Sequence, residues 1–148
     1  MLVPRPSERL KLNPWEEKHI EAFAAMNQDK EVMEFFPAIL SFEETIGFLI
    51  RIRKHFDQNG YGLYAVEKKE NDGFIGFTGF SKVPFESFFT PCIELGWRLS
   101  KFEWGKGYAG EAARACLEFG FSRLGFEKVY SFTSILNRRS EKVMKKLE

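Results

Sequence analysis

The chain has 148 residues, of which 44% are hydrophobic, and its formal net charge at pH 7 is +1. This composition excludes a disordered chain, and the length suits a single domain over residues 1–148 with a real core. The balanced charge gives no electrostatic footprint for nucleic acid, and no apolar run is long enough for a membrane span or a signal peptide.

The first two predicted elements are a strand and a helix. Leu10 and Leu12 lie on one side of a strand predicted over residues 8–12. Pro14 suits the start of a helix, and the apolar spacing predicts that helix over residues 15–26. The residues with this spacing are His19, Ile20, Phe23 and Ala24.

A capping box marks the start of the next helix. In this motif the Ser41 side chain accepts from the backbone of Glu44, and the Glu44 carboxylate accepts from the backbone of Ser41. We expect the helix to run to about Phe56, where the turn signal Asn59-Gly60 follows. Its predicted core-facing residues are Phe42, Ile46, Leu49, Ile50 and Phe56.

Two strands and an aromatic loop come next. Residues 62–67 and 74–82 alternate as strands, and the polar turn at residues 69–73 between them suits a hairpin. The loop at residues 83–90 contains three Phe. Such a loop could cover a site, but core packing is the interpretation that we favour.

A strand, a glycine-rich turn and a helix form the centre of the sequence. In the strand around residues 93–99, Glu94, Gly96 and Arg98 alternate with apolar residues. The turn reads Trp104-Gly105-Lys106-Gly107-Tyr108-Ala109. The helix that follows has a stripe of apolar or small residues at Ala109, Ala112, Ala113, Cys116, Leu117, Gly120, Phe121 and Leu124.

Proteins use this order of elements to hold a phosphate. The first amides of a helix have no partner within the helix, and the helix dipole adds positive potential there. Gly105 and Gly107 let the backbone approach an anion, and Lys106 can add a full charge. The alternative is an ordinary turn, because two glycines often precede a helix.

The chain ends with a predicted strand over residues 128–134 and a short helix over residues 140–147. The element order mixes antiparallel hairpins with one strand-helix-strand crossover, which predicts a mixed α/β fold. Cys92 and Cys116 are expected to be buried free thiols, as is usual in the cytoplasm.

The two histidines, His19 and His55, fall on predicted helices. Neither has the spacing of a metal ligand, so we expect no metal and place both residues at the surface or partly packed.

The string WGKGYA at residues 104–109 resembles the acyl-CoA pyrophosphate loop of the GNAT superfamily of N-acyltransferases. The longer string IELGWRLSKFEWGKGYAGEAA is similar to the ribosomal-protein N-terminal acetyltransferases of RimJ/RimL type. The likeness extends to the start of the chain, to FIGFTGF and to Asn137-x-x-Ser140. It implies an α+β fold whose central sheet is mostly antiparallel, with helices on both faces.

This resemblance also implies a cosubstrate, acetyl-CoA, and a set of residues that bind it. The pyrophosphate would lie on the amides of residues 105–109, and the pantetheine arm would pair with exposed backbone of the preceding strand. The cofactor-binding residues implied in this way are Trp97, Arg98, Leu99, Trp104, Gly105, Lys106, Gly107, Tyr108, Ala109 and Asn137.

Transfer of an acyl group from a thioester needs a base for the amine and a donor for the departing thiolate. Glu94 is the candidate base, because its apolar neighbours would raise its pKa; the resemblance gives a glutamate on this strand the same role. The alternative is a structural glutamate, either at a sheet surface or in a salt bridge, for which Arg98 is a candidate partner. The resemblance places Ser140 near the sulfur as a hydrogen-bond donor. Ser140 could also cap the last helix, which would occupy its hydroxyl, and the two roles are compatible.

Members of the family usually continue beyond the last helix with two more strands, so the resemblance implies that C-terminal strands are missing after Glu148. A sheet that stops at residues 128–134 would expose an edge. A homodimer joined through that edge is one expected assembly.

Two classes of function stay open at this point. The first is an N-acetyltransferase whose acceptor is a protein N-terminus or a small amine, such as a polyamine or an aminoglycoside-like compound. The second is a noncatalytic acyl-CoA-binding or protein-interaction domain. The early C-terminus favours the second class, and so does Met144, which stands where many family members carry a tyrosine.

Overall fold

The computed structural model describes residues 2–83, 92–131 and 137–147. These ranges contain four strands and four α-helices, with short 3₁₀ turns at Glu17–His19 and Lys101–Glu103. The elements are β1 (Leu10–Asn13), α1 (Ile20–Asn27), α2 (Phe42–Asn59), β2 (Leu63–Lys68), β3 (Phe74–Val83), β4 (Cys92–Leu99), α3 (Tyr108–Ser122) and α4 (Arg138–Leu147).

The four strands form one sheet in the order β1-β2-β3-β4, and every neighbouring pair is antiparallel. Helices cover both faces. Phe77 of β3 packs against Phe23 of α1 and Phe48 of α2, with ring centroids 6.0 and 5.8 Å apart. On the other face, Tyr64 of β2 meets Phe119 of α3 at 6.2 Å. The predicted mixed fold with a mostly antiparallel sheet is therefore confirmed.

The start of α2 is the predicted capping box. The Ser41 hydroxyl accepts from the Glu44 N–H at 3.1 Å, and the Glu44 carboxylate accepts from the Ser41 N–H at 2.9 Å. The helix ends at Gly60, whose φ of 77° is left-handed. Glycine adopts this conformation without the steric cost of a Cβ, so the turn signal is confirmed. The last helical residue is Asn59, three residues beyond the predicted end at Phe56.

The predicted core face of α2 is wrong at two positions. Phe42 and Ile50 are 47% and 61% exposed, whereas Thr45 and Ile52 are buried. The buried stripe is set by the sheet beneath the helix, and the sequence offered apolar residues on more than one side of it.

The stripe of α3 is likewise only partly as predicted. Phe121 is 49% exposed, and Phe119 is buried in its place. Gly120 is buried against Phe80, where an added Cβ would lie 2.8 Å from the ring. The residues of α3 that are buried are Ala112, Ala113, Ala115, Cys116, Phe119 and Gly120.

His19 is only 1% exposed, so its predicted surface or partly packed position is wrong. Its ring packs against Trp15 and Phe74, with ring centroids 6.0 and 5.4 Å apart, and its Nε2 lies 2.8 Å from the Glu67 carboxylate. The polar residue is buried because this carboxylate partners it. His55 is half-buried, as expected.

Both cysteines are buried free thiols, as the sequence predicted. None of the helices in the described ranges is both long and apolar enough to cross a membrane. Two predicted features fall wholly or partly outside the described residues: the aromatic loop, except for the backbone of residue 83, and residues 132–134 of the last predicted strand.

Candidate active site

β4 has one edge paired with β3, and its other edge, here called the open edge, is paired by the described residues only near its start. The Leu95 N–H donates to the Tyr130 carbonyl at 2.7 Å, in a parallel bridge between Glu94 and Tyr130. Backbone groups alternate in direction along a strand, so those of Trp97 point to the same edge as those of Leu95. No backbone group of the described residues pairs with Trp97 on that side.

The two residues after Trp97 are arranged differently. The Arg98 carbonyl oxygen faces β3, where it would collide with a Cβ added to Gly76. The Leu99 carbonyl accepts a hydrogen bond from Trp104 Nε1 at 3.1 Å. Three residues were expected to offer backbone groups to pantetheine. Of these, Trp97 is the one whose backbone groups at the open edge pair with no described residue.

A cavity of about 300 Å³ lies beside this open edge. It brings together five residues that the sequence singled out, three on β4 and two at the distant start of α4: Glu94, Trp97, Arg98, Asn137 and Ser140. Aromatic rings that the sequence analysis did not assign to a site complete the wall: Phe35, Phe36, Phe48 and Phe77. The signal that was missed is the pair of adjacent phenylalanines in the polar connector between α1 and α2.

Glu94, Gly96 and Arg98 alternate along β4 and therefore share the face of the sheet that lines the cavity. Gly96 leaves space between the two charged residues. A Cβ added there would meet no described atom nearer than Glu94 Oε1, at 3.8 Å. The cavity is thus open at its centre because one position of the strand has no side chain.

The carboxylate of Glu94 is half-buried in this cavity, and burial raises its pKa. Among the residues that the structure describes, no ion pair joins Glu94 to Arg98, so the alternative of a paired structural glutamate does not describe this site. A carboxylate that is buried without a cationic partner holds its proton more tightly than one in water.

The Arg98 side chain enters the same cavity and is surrounded by rings. Its guanidinium lies 4.3 Å from the ring centre of Phe36 and 5.1 Å from that of Phe77. One nitrogen, Nη1, donates to the Asn27 amide oxygen at 2.8 Å, while the buried Nε has no acceptor among the described residues. Burial lowers the pKa of Arg98 to about 10, so the group stays charged at neutral pH.

The start of α4 forms another side of the cavity. The Asn137 side-chain oxygen accepts from the Ser140 N–H at 3.2 Å, and the helix begins at Arg138. Asn137 therefore caps the helix, and the alternative that Ser140 is the cap is wrong. Asn137 takes this role because a side-chain oxygen three residues before an orphan N–H reaches it without strain.

The glycine-rich turn has an exposed backbone. Gly105 and Gly107 adopt φ angles of 77° and 81°, and Gly107 directly precedes the first residue of α3, Tyr108. Residues with a side chain rarely adopt such φ angles, so both glycines are needed for this turn. No described atom lies within 4 Å of a Cβ placed at Gly105, and a Cβ at Gly107 would lie 3.5 Å from the Arg9 guanidinium.

Charged and aromatic side chains surround this turn. Lys106 Nζ lies 3.4 Å from Glu103 Oε2. Arg9, which the sequence analysis did not assign to the site, lies 4.3 Å from the Tyr108 ring centre and pairs with Glu111 at 2.7 Å. Its position follows from the pairing of β1 with β2, which no local pattern reveals.

Trp104 connects the turn to the rest of the site. Its indole N–H donates to the end of β4, as described above, and the Arg139 guanidinium of α4 stacks 3.6 Å from its ring centre. A cation over an indole is among the stronger cation–π arrangements. The turn, β4 and α4 thus meet around one side chain.

A second polar cluster lies away from this cavity, where Glu16, His19 and Glu67 bring three potential metal-ligand atoms within 4.8 Å. Both ring nitrogens of His19 are engaged: Nδ1 accepts from the Glu16 N–H at 2.9 Å, so Nε2 carries the proton that it donates to Glu67. Lys18 also pairs with Glu67 at 3.1 Å. The cluster has the contacts of a hydrogen-bonded ion network.

Comparison with known proteins agrees with the fold. The family model described as "Acetyltransferase (GNAT) domain" matches residues 9–148. The FsC-acetyl coenzyme A-N(2)-transacetylase of Aspergillus fumigatus is 31% identical over 92% of this chain and 60% of its own length. An acetyltransferase structure from Agrobacterium tumefaciens aligns with a TM-score of 0.87 at 25% identity, covering 99% of this chain and 83% of its own. Spermidine N-acetyltransferase from Vibrio cholerae, solved with CoA and spermine, aligns at 0.73 and 19% identity, covering 93% and 78%.

Proposed function

Because the chain belongs to the GNAT acetyltransferase family, we propose that it transfers an acetyl group from acetyl-CoA to a small primary amine in the cavity beside β4. One observation carries this proposal. A single cavity joins a half-buried carboxylate, Glu94, with the open edge at Trp97 and the start of α4. These are the parts that a thioester, an amine and a leaving thiolate each need.

The cofactor is assigned to the turn and the open edge. The amides of residues 105–109 bind the pyrophosphate, since the glycines leave them unobstructed and α3 begins there. The pantetheine arm pairs with the backbone of Trp97 and passes Asn137. Lys106 and Arg9 supply positive charge, although each is partly neutralised by a neighbouring glutamate.

The chemical step uses two side chains of the cavity. Glu94 takes a proton from the acceptor ammonium, and the free amine attacks the thioester carbonyl to form the new C–N bond. Collapse of the tetrahedral intermediate breaks the C–S bond, and the Ser140 hydroxyl donates a hydrogen bond to the departing thiolate. The nitrogen gives up its second proton to that thiolate, so the products are the amide and the free thiol of CoA. The raised pKa of Glu94 makes it a stronger base than an exposed carboxylate.

The finer sequence predictions stay predictions: the RimJ/RimL branch, a protein N-terminus as acceptor, cytoplasmic location, a homodimer, and one domain lacking the C-terminal strands. The noncatalytic acyl-CoA-binding domain is the rival to be tested. Such a domain would bind acetyl-CoA and transfer nothing.

The test measures thiol release from acetyl-CoA with a panel of primary amines, alongside calorimetry of CoA binding. We expect CoA to bind and thiol release to depend on both the amine and the protein. Binding of CoA with no amine-dependent release across the panel would instead support the noncatalytic domain.

A further inference from the structure

The guanidinium of Arg98 has neutral and aromatic partners but no anionic one among the described residues. Asn27 offers a neutral amide oxygen to Nη1, and the rings of Phe36 and Phe77 offer only their π faces. The buried Nε has no acceptor there. A buried charged donor without an acceptor destabilises the folded protein. An anionic ligand that accepts a hydrogen bond from this group would therefore be bound favourably.

Glu94 lies on the same face of the same strand, four residues away. At about 3.3 Å per residue, the two Cα atoms are roughly 13 Å apart. Both side chains line the cavity, and Gly96 between them contributes no side chain. The gap between carboxylate and guanidinium therefore has room for a small molecule with a positive end and a negative end.

Resting on the proposed function, we propose that the acceptor is a small amino carboxylate, whose amine faces Glu94 and whose carboxylate pairs with Arg98. Glu94 acts on the amine, and Arg98 is a specificity-determining residue. The same guanidinium repels a second ammonium group, so polyamines and aminoglycoside-like polycations are disfavoured. A peptide N-terminus offers Arg98 only a neutral carbonyl, which is a weaker partner than a carboxylate.

The selectivity test uses matched pairs of acceptors. γ-Aminobutyrate and propylamine, or β-alanine and ethylamine, differ only by the carboxylate. Spermidine tests a polycation, and a short C-terminally amidated peptide tests a protein N-terminus. Rates are compared as kcat/KM per concentration of free amine, which removes the difference in amine basicity. We expect each amino carboxylate to exceed its matched alkylamine at least tenfold, and to exceed spermidine and the peptide.

Two variants of Arg98 and one control variant test whether the guanidinium causes that preference. Arg98→Met keeps the length but removes the charge, and we expect the ratio within each pair to fall close to one. Arg98→Lys keeps the charge without the planar fork, so part of the ratio should persist. Arg51→Met is the matched control: its exposed guanidinium lies 5.6 Å from the Phe48 ring but does not line the cavity, and the ratio should be unchanged.

The outcomes separate this inference from the proposed function. Acetyl transfer with equal rates inside each pair, or with preference for spermidine or the peptide, overturns the amino-carboxylate acceptor and leaves the transferase intact. Absence of transfer to every amine refutes the transferase. Calorimetry of γ-aminobutyrate with the CoA-loaded protein then decides the site: binding that Arg98→Met abolishes supports it, and no binding overturns it. If Arg98→Met does not fold, the wild-type ratios and Arg98→Lys decide whether the guanidinium selects the carboxylate.

Discussion

Glu67 and Glu94 belong to the same sheet, yet their surroundings are opposite. Glu67 is 1% exposed and is hydrogen-bonded by His19, Lys18 and Asn13. Burial raises the pKa of Glu67, but these hydrogen bonds outweigh burial and lower it to about 2. Glu94 has no such partner among the residues that the structure describes, and burial raises its pKa.

The two glutamates differ in role: the charge of Glu67 stabilises the fold, whereas the carboxylate of Glu94 is available to accept a proton. A carboxylate whose oxygens are all engaged is held as an anion and exchanges its proton only in acid. A carboxylate that faces open space can accept a proton from a ligand near neutral pH. The comparison therefore predicts that one residue affects stability and the other affects turnover.

The largest expected effect is on turnover, from Glu94→Gln. We expect the rate of acetyl transfer to fall roughly a hundredfold, because the amide cannot accept the proton of the ammonium. Wild-type turnover should fall as the pH drops through the raised pKa of Glu94, since the base must be deprotonated. The loss in the variant should shrink as the pH rises, because the amine is then already free.

Stopped-flow or steady-state thiol release measures this effect, and CoA calorimetry provides its control. An equal rate for the variant and the wild type near neutral pH would assign Glu94 to structure and remove the contrast with Glu67.

The second effect is on stability, from Glu67→Gln. A pKa lowered from 4.5 to about 2 corresponds to about 3 kcal/mol. Solvent around the exposed Lys18 screens the network, so we expect a loss of about 2 kcal/mol of unfolding free energy at pH 7. Because the folded pKa is the lower one, the stabilisation is complete above about pH 4.5 and disappears as the pH falls toward 2.

Urea unfolding of both proteins at a series of pH values checks this prediction. Exposed Glu70 provides the control, because Glu70→Gln should leave the unfolding free energy unchanged at every pH. A loss for Glu67→Gln that stays constant between pH 7 and pH 2 would contradict a role for the charge.

The third effect is on CoA affinity, and it tests whether the cofactor binds at the glycine-rich turn, away from both glutamates. Gly107→Val places a side chain at the start of α3, and we expect CoA affinity to weaken at least tenfold, about 1.4 kcal/mol. Gly125→Val is the matched control, because Gly125 has a similar φ of 74°, no described atom within 4 Å of an added Cβ, and lies beyond α3. Calorimetry that finds equal affinities for the two variants would refute the pyrophosphate assignment.

The smallest effect tests which partner of Glu67 matters most. Lys18 touches the same carboxylate as His19, but its side chain is 53% exposed. We expect Lys18→Met to shift the urea midpoint far less than Glu67→Gln, because an exposed ion pair contributes little. A shift as large as that of Glu67→Gln would place the stabilisation in the Lys18 pair instead of the buried His19 bond.

The conformation of turns and helix ends was predictable from the sequence because it depends on residues close together in the chain. The capping box at Ser41 and the left-handed Gly60 each involve residues within a few positions of one another. Alternation alone placed Glu94 and Arg98 on one face of their strand. The glycine-rich turn was likewise evident, since only glycine suits the angles found there.

Contacts between distant residues were not predictable in this way. The partner of His19 lies 48 residues away, and the Asn27 amide that receives Arg98 lies 71 residues away. Periodicity records which side of an element is apolar, but the side that is buried depends on what packs there. For that reason Ile50 and Phe121 were assigned to the core and are exposed instead.

At Gly96 we expect activity and folding to respond differently to one substitution. Its backbone has no left-handed φ, and an added methyl group would meet no described atom closer than 3.8 Å. Alanine there also restricts the unfolded chain, which favours the folded state. We therefore expect Gly96→Ala to be tolerated when expression or the melting temperature is measured, and to be harmful when the amount of product is measured.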